Sequence, residues 1–507
     1  MLARVRFSRI GIAEVLILLC CLGPAMLGQE SAPKDASAGD LASRVAELDQ
    51  NLRATQAELE QSRQEMHQLR ILLERMEQSL PQMQAANPQP NASVANPPDV
   101  AQRVANLEEQ QAVIQSQVTQ QAQEKVESAS KYSVKLTGLL LFNAGYTRGN
   151  VDMIDVPELA FGRSPAASAG SIGATMRQTI LGLQAQGPDM FGAKSSANVY
   201  GDFFGGFANQ DFGVNAGVFR LRTAGIRLDW PSTSLVFAQD APFFSPLAPT
   251  SLATLGLPAL AWSGNLWTWT PQIRVEHSFQ FSDASRLTLQ AGVLDPIQAD
   301  QPTAEASRPP SPGEQSRQPG YAGRVAWKFG GIEGHQSQFG IGGYFSPQRY
   351  PLDRRINAWA QTGDFQVPIG QKLELRGEIY RGIGVGGLGG GQFASIISNG
   401  DPALASTSIV GLNSIGAWGQ LKYRPIQRIE FNAAIGHDNP FAGDLEKFPG
   451  SQFGSIFARN QTSLFNVVVN PESSLLLSLE YRHIQSYTIS GRGNTADHIN
   501  LAAGYKF

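Results

Sequence analysis

From Lys131 to Phe507 apolar and polar residues alternate with a period of two, one segment after another. Leu287, Leu289, Ala291 and Val293 share one face of such a segment, as do Ile429, Phe431, Ala433 and Ile435, and Leu475, Leu477, Leu479 and Tyr481. Opposite them stand Arg286, Thr288 and Gln290, then Glu430 and Asn432, then Ser478, Glu480 and Arg482. Side chains alternate across a strand, so each segment predicts a strand with one apolar and one wet face. Strands are predicted at 133–146, 176–186, 195–206, 218–230, 234–240, 271–281, 286–294, 320–329, 338–346, 354–366, 372–383, 413–423, 428–437, 461–469, 474–485 and 496–507, sixteen in all.

The connections sort by length. Pro231-Ser232-Thr233, Ser282-Asp283-Ala284-Ser285, Arg424-Pro425-Ile426-Gln427 and Asn470-Pro471-Glu472-Ser473 are tight turns, and between them lie long loops at 241–270, 295–319, 384–412 and 438–460. A soluble sandwich has no reason to sort its connections in this way. A transmembrane barrel has short periplasmic turns, long external loops and an even strand count. Charges on the inner faces of a packed soluble core would be costly, whereas a water-filled lumen accepts them. The aromatics Trp230, Trp327, Tyr146, Tyr344, Tyr423 and Tyr505 fall near strand ends, where interfacial girdles belong. The last ten residues, HINLAAGYKF, place Ile499, Leu501, Ala503, Tyr505 and Phe507 on one apolar face. That terminal pattern resembles the signal outer-membrane proteins present to the barrel-assembly machinery, with Tyr505 and Phe507 as its anchors.

Upstream the period is different. Leu41, Val45, Leu48, Leu52, Leu59, Met66, Leu69 and Leu73 lie in one register of alternating four- and three-residue steps, with Thr55 and Ser62 diluting the seam. This predicts a coiled coil. At 1.5 Å per residue it would reach about 60 Å. Arg4, Arg6 and Arg9 precede an apolar run from Val15 to Leu22, which reads as a secretory signal peptide, too short for a membrane helix. The expected organisation is a signal peptide at 1–28, a periplasmic coiled coil at 29–80, a Pro/Asn/Gln linker at 81–98, a second helix or spacer at 99–130 and an outer-membrane β-barrel at 131–507. The fold class is thus an all-β transmembrane barrel of about 16 antiparallel strands behind an α-helical coiled coil.

Composition adds exclusions. Both cysteines, Cys20 and Cys21, lie in the signal, which leaves the mature chain without a thiol, disulfide or cysteine metal site. After the signal there is no apolar run of the length a membrane helix needs. His277, His335, His437, His483 and His498 are scattered, and neither G-x-S-x-G nor H-E-x-x-H occurs, so no enzyme, metal or cofactor is expected. No basic patch suggests nucleic acid.

The order of parts, with a strand opening Tyr132-Ser133-Val134-Lys135-Leu136-Thr137-Gly138, resembles the DcaP-like trimeric outer-membrane porins and, more loosely, the phosphate-selective porins of types O and P. The stretch FRLRTAGIRLDWPSTSLVFAQDAPFFSPL, Phe219 to Leu247, carries the nearest likeness. It departs from the family at AQDAPF, where Ala238 and Ala241 replace the usual glycine and tryptophan. The resemblance implies a homotrimer in the outer membrane of a Gram-negative-type bacterium and passive uptake of small, often anionic solutes. By the same resemblance Arg220 and Arg222 line the channel, and Asp240 is a polar residue of the loop that follows.

The predicted register turns Arg274, Arg286, Arg324, Lys328, Arg355, Lys372, Arg376, Lys422, Arg482 and Lys506 inward, against Glu276, Glu374, Glu378, Glu430 and Glu480. Ten bases against five acids should favour anions, because pore walls focus the field. A one-residue slip would invert any one strand's contribution. The loop from Asp240 to Thr270, with Phe243, Phe244 and Trp262, is expected to fold inward and narrow the pore. An alternative to the porin is a structural protein whose barrel anchors a tether to periplasmic envelope components. The acidic stretch 30–130, with eight Lys plus Arg against 15 Asp plus Glu and therefore a net −7, would supply it.

Overall fold

The computed structural model describes residues 132–507 apart from 167, 208–216, 298–308, 331–335, 449–456, 490 and 492. The expected signal peptide, coiled coil, linker and second helix lie outside the described residues. Sixteen antiparallel strands form one closed sheet: β1 Val134–Arg148, β2 Ile180–Met190, β3 Ala193–Asp202, β4 Arg220–Asp229, β5 Thr233–Asp240, β6 Thr270–Ser282, β7 Ser285–Leu294, β8 Gly320–Phe329, β9 Ser337–Tyr350, β10 Arg354–Ile369, β11 Leu373–Ile383, β12 Asn413–Ile426, β13 Ile429–Pro440, β14 Arg459–Glu472, β15 Leu475–Tyr487 and β16 Gly493–Lys506. A short strand, Gly170–Thr175, continues the line of β2 alongside β1.

Closure runs through β1 and β16, which pair from Leu139↔Lys506 to Arg148↔Asp497. The terminal residue extends that ladder, since Gly138 N–H donates to the Phe507 carbonyl at 3.0 Å. Closure removes the sheet edges, which a bilayer cannot hydrogen-bond. The outward face carries a lipid-facing apolar band that includes Leu289, Val325, Ile341, Ile379, Phe465, Leu479 and Leu501, all exposed. Among the described residues no helix is long and apolar enough to cross a membrane, which says nothing against crossing by strands.

The predicted strands agree with the observed ones in number and place. One inner-face assignment and one girdle assignment need correction. Arg355 falls on the outward parity of β10 with Trp359 and Gln361, its side chain 71% exposed at the loop-side rim near Asp353. Asp364, on the opposite parity of the same strand, points into the lumen, and so does Tyr344, which is buried inside the barrel and takes no part in a girdle.

Candidate functional site: the lumen and the loop folded into it

The connection from Ala241 to Trp269 lies inside the barrel, and the strands hold it at successive points around the wall. At its start the Asp240 carbonyl accepts from the Gln272 side chain at 3.1 Å. Phe244, 0% exposed, stacks on Tyr344 of β9 with ring centroids 5.4 Å apart, and its carbonyl accepts from the Thr362 hydroxyl of β10. Glu378 of β11 accepts from the Ser245 hydroxyl at 2.8 Å and from Leu247 N–H at 2.7 Å. Thr250 N–H donates to Gln420 of β12 at 3.1 Å, and its carbonyl accepts from Asn466 of β14 at 2.9 Å. The Ser251 hydroxyl donates to Glu480 of β15 at 2.6 Å. Gln178, just before β2, accepts from Leu255 and Gly256 N–H groups at 2.5 and 2.8 Å. The chain then doubles back: Leu260 packs on Trp418, Ala434 and Leu464, the Trp262 ring sits 4.0 Å from that of Phe393, and Trp267 N–H donates to the Leu388 carbonyl at 3.1 Å.

The wall is cut to receive this loop. A Cβ at Gly342 would stand 2.7 Å from the Phe244 carbonyl oxygen, and one at Gly436 would stand 2.2 Å from that of Ser263. Both glycines occupy inward positions that a plain aqueous lumen would fill with polar side chains. This is the sequence signal for the loop's docking site, and reading the alternation alone overlooks it.

A second loop enters beside the first. Arg482 of β15, buried to 0% exposure, donates to the Pro157 carbonyl at 3.0 Å and the Glu158 carboxylate at 2.8 Å on this loop. Its other nitrogen reaches the Thr254 hydroxyl at 2.9 Å and Glu480 at 3.0 Å. Arg482 therefore ties both loops to the barrel wall. Asp152 accepts from Glu158 and Leu159 N–H groups at 3.0 and 3.1 Å and fixes the turn that presents Glu158. Burial pushes the Glu158 carboxyl up to about 8, against the opposing pull of Arg482. Glu158 and Gln178 lie outside or at the margin of the periodic segments, so alternation gives no sign of them.

The remaining candidates divide by surroundings. Arg220 and Arg222 of β4 share one carboxylate, Asp202, at 2.7 and 3.4 Å, and their guanidiniums sit 5.2 and 4.5 Å from the Trp269 ring centre. Each also donates to the folded loop, Arg220 to the Gly256 carbonyl and Arg222 to that of Leu255. Arg274 pairs with Glu276 at 2.7 Å, and Glu276 also meets Arg227 at 3.0 Å. Arg324 is paired with Asp364 by two hydrogen bonds of 2.9 and 2.7 Å. Arg376 stands 4.0 Å from Glu374, and Arg286 donates to Gln280 at 2.6 Å. Glu378 and Arg482 thus lie inside the barrel as attachment points for loops, and Phe243 and Phe244 turn their rings into the wall. Among the described residues no cluster of His, Cys, Asp or Glu could hold a metal.

No protein-family model matches the chain, and no curated protein matches it. Among solved structures the chain resembles the outer membrane channel DcaP of Acinetobacter baumannii, with 16% identity, a TM-score of 0.58, and coverage of 75% of this chain and 99% of that one. It also resembles, at lower similarity, the anion-selective porin from Comamonas acidovorans, with 12% identity and a TM-score of 0.45, over 74% of this chain and 100% of that one. The likeness to DcaP is a likeness of fold, that of a closed antiparallel β-barrel.

Proposed function

We propose that the protein is an outer-membrane porin, a passive diffusion channel for small hydrophilic solutes with a preference for anions such as small carboxylates. The observation that carries this reading is the loop 241–269, held inside the lumen against β9 to β15 and bonded also by Arg220 and Arg222 of β4, with Arg227, Arg274 and Arg286 on β4, β6 and β7. The loop narrows the path, and solute passes along the arginine-bearing wall. Arg220 and Arg222 share a single carboxylate, so that stretch of wall carries excess positive charge where the dielectric is low. Arg324 and Arg482, each matched to acids, hold structure in place and add little to the field.

Three such barrels assemble into a homotrimer in the outer membrane. Tyr505 and Phe507, on the lipid-facing side of the closing strand, form the signal for the assembly machinery. Planar-bilayer recording across a salt gradient tests the reading: discrete channels with an anion-selective reversal potential support it, and a folded barrel that never conducts would turn attention to the tether.

A further inference from the structure

At the end of the barrel that carries the tight turns, five inward side chains from five neighbouring strands fall in one row. Gln280 faces Arg286, Arg286 faces Lys328, Lys328 faces Gln338, and Gln338 faces Gln366. They line a cavity of about 640 Å³. Among the described residues Asp283, on the turn between β6 and β7, is the one carboxylate lining it, and neither Arg286 nor Lys328 forms an ion pair with any described acid. Like charges directly opposite each other on antiparallel strands repel. Elsewhere in this lumen an arginine finds a carboxylate, as Arg324 finds Asp364 and Arg274 finds Glu276. Here the surroundings are amides, which hydrogen-bond without cancelling charge.

We propose that this row is an anion-binding site at the turn-side, periplasmic mouth of the channel, made for the oxyanion group, carboxylate or phosphate, of a small solute. The Arg286 Nε is engaged by Gln280 at 2.6 Å, which fixes the guanidinium plane and leaves its terminal nitrogens to take two oxygens of one anion. Lys328 supplies a second charge from the adjacent strand, and the Gln338 and Gln366 amides supply further donors. The anion relieves the Arg286–Lys328 repulsion and is held at the mouth before release. This deepens the porin reading and rests on it for the route by which the anion arrives. It is a separate place from Arg220 and Arg222, which lie at the opposite, loop-side end of β4.

The test uses the full-length protein in detergent, titrated separately with inorganic phosphate and with acetate at an ionic strength held constant with chloride. The unfolding midpoint of the wild type rises with at least one of the two anions, because a ligand that binds only the folded state stabilises it. A response to phosphate alone assigns the site to phosphate groups, and an equal response to acetate assigns it to carboxylates. Arg286→Gln and Lys328→Gln each weaken the apparent affinity about tenfold, as expected for one charge-assisted contact. In chloride alone Lys328→Gln melts no lower than the wild type, since it removes a repulsion, so a folding defect is separable from lost binding. Arg286→Lys, which keeps the charge but not the fork, retains part of the response. Equal responses in the wild type and both glutamine variants would overturn the site. A protein that shows the anion response yet never conducts would overturn the porin reading and leave the site standing.

Discussion

The Arg482 guanidinium meets the Glu158 carboxylate at 2.8 Å with both side chains 0% exposed, although 324 residues separate them in the chain. One strand residue thereby fastens a loop that starts after the first strand, and through Thr254 it fastens the pore loop as well. Removing the guanidinium leaves the buried Glu158 without its side-chain donor and leaves Glu480 with only Ser251 and Asn466, a loss of about 3 kcal/mol or more. Arg482→Ala is expected to lower the unfolding temperature of the detergent-solubilised barrel and to make single-channel current noisier. A variant with wild-type melting and quiet current would show that the contact holds nothing.

Glu158 also makes that latch sensitive to pH. Its folded-state value lies above the ordinary 4.5, at about 8, because burial disfavours the charged form. Its contribution to docking is therefore fully present below about 4.5 and is lost as the pH rises through about 8. Conductance noise should increase as the pH rises from about 4.5 through about 8, and Glu158→Gln, which cannot ionise, should flatten the dependence.

The Glu378 carboxylate takes two hydrogen bonds from the pore loop, from Ser245 and Leu247. Glu378→Ala releases one of the loop's fixed points and is expected to raise unitary conductance. Glu378→Gln keeps an acceptor and should fall between the wild type and the alanine variant. Current amplitudes in planar bilayers distinguish these orders.

Barrel closure depends on a close approach at Gly138. A Cβ there would stand 2.6 Å from the Phe507 ring and from the Ile180 carbonyl oxygen. Gly138→Leu forces either the terminal residue or the β1–β2 ladder to move, at a cost of about 1–3 kcal/mol. The folded, heat-resistant band on a cold SDS gel should weaken, while Phe507→Ala in the same background should restore part of it. No recovery would place the strain at Ile180 instead.

Alternation with a period of two was enough to place every barrel strand, because a strand with lipid on one side and water on the other must alternate. It fails where a strand climbs past the lipid into the rim. In β10 the exposed Arg355 is paired with Asp353 outside the barrel wall, while Asp364, on the opposite parity of that strand, is the inward partner that neutralises Arg324. Docked loops have no period at all. Glu158 and Gln178 could not be found from spacing, and the roles of Glu378 and Arg482 depend on which loop residues reach them. What the sequence does carry is the inward Gly342 and Gly436, two gaps in the polar face where backbone from the loop comes close.

Shortening the loop 241–269 between Leu247 and Gly256 and comparing single-channel conductance and reversal potential with the wild type, across a salt gradient, tests the central claim most directly. The account predicts discrete anion-selective channels for the wild type and a larger, less selective conductance once the loop no longer reaches across the lumen. Unchanged conductance and selectivity in a folded, inserted variant would contradict it.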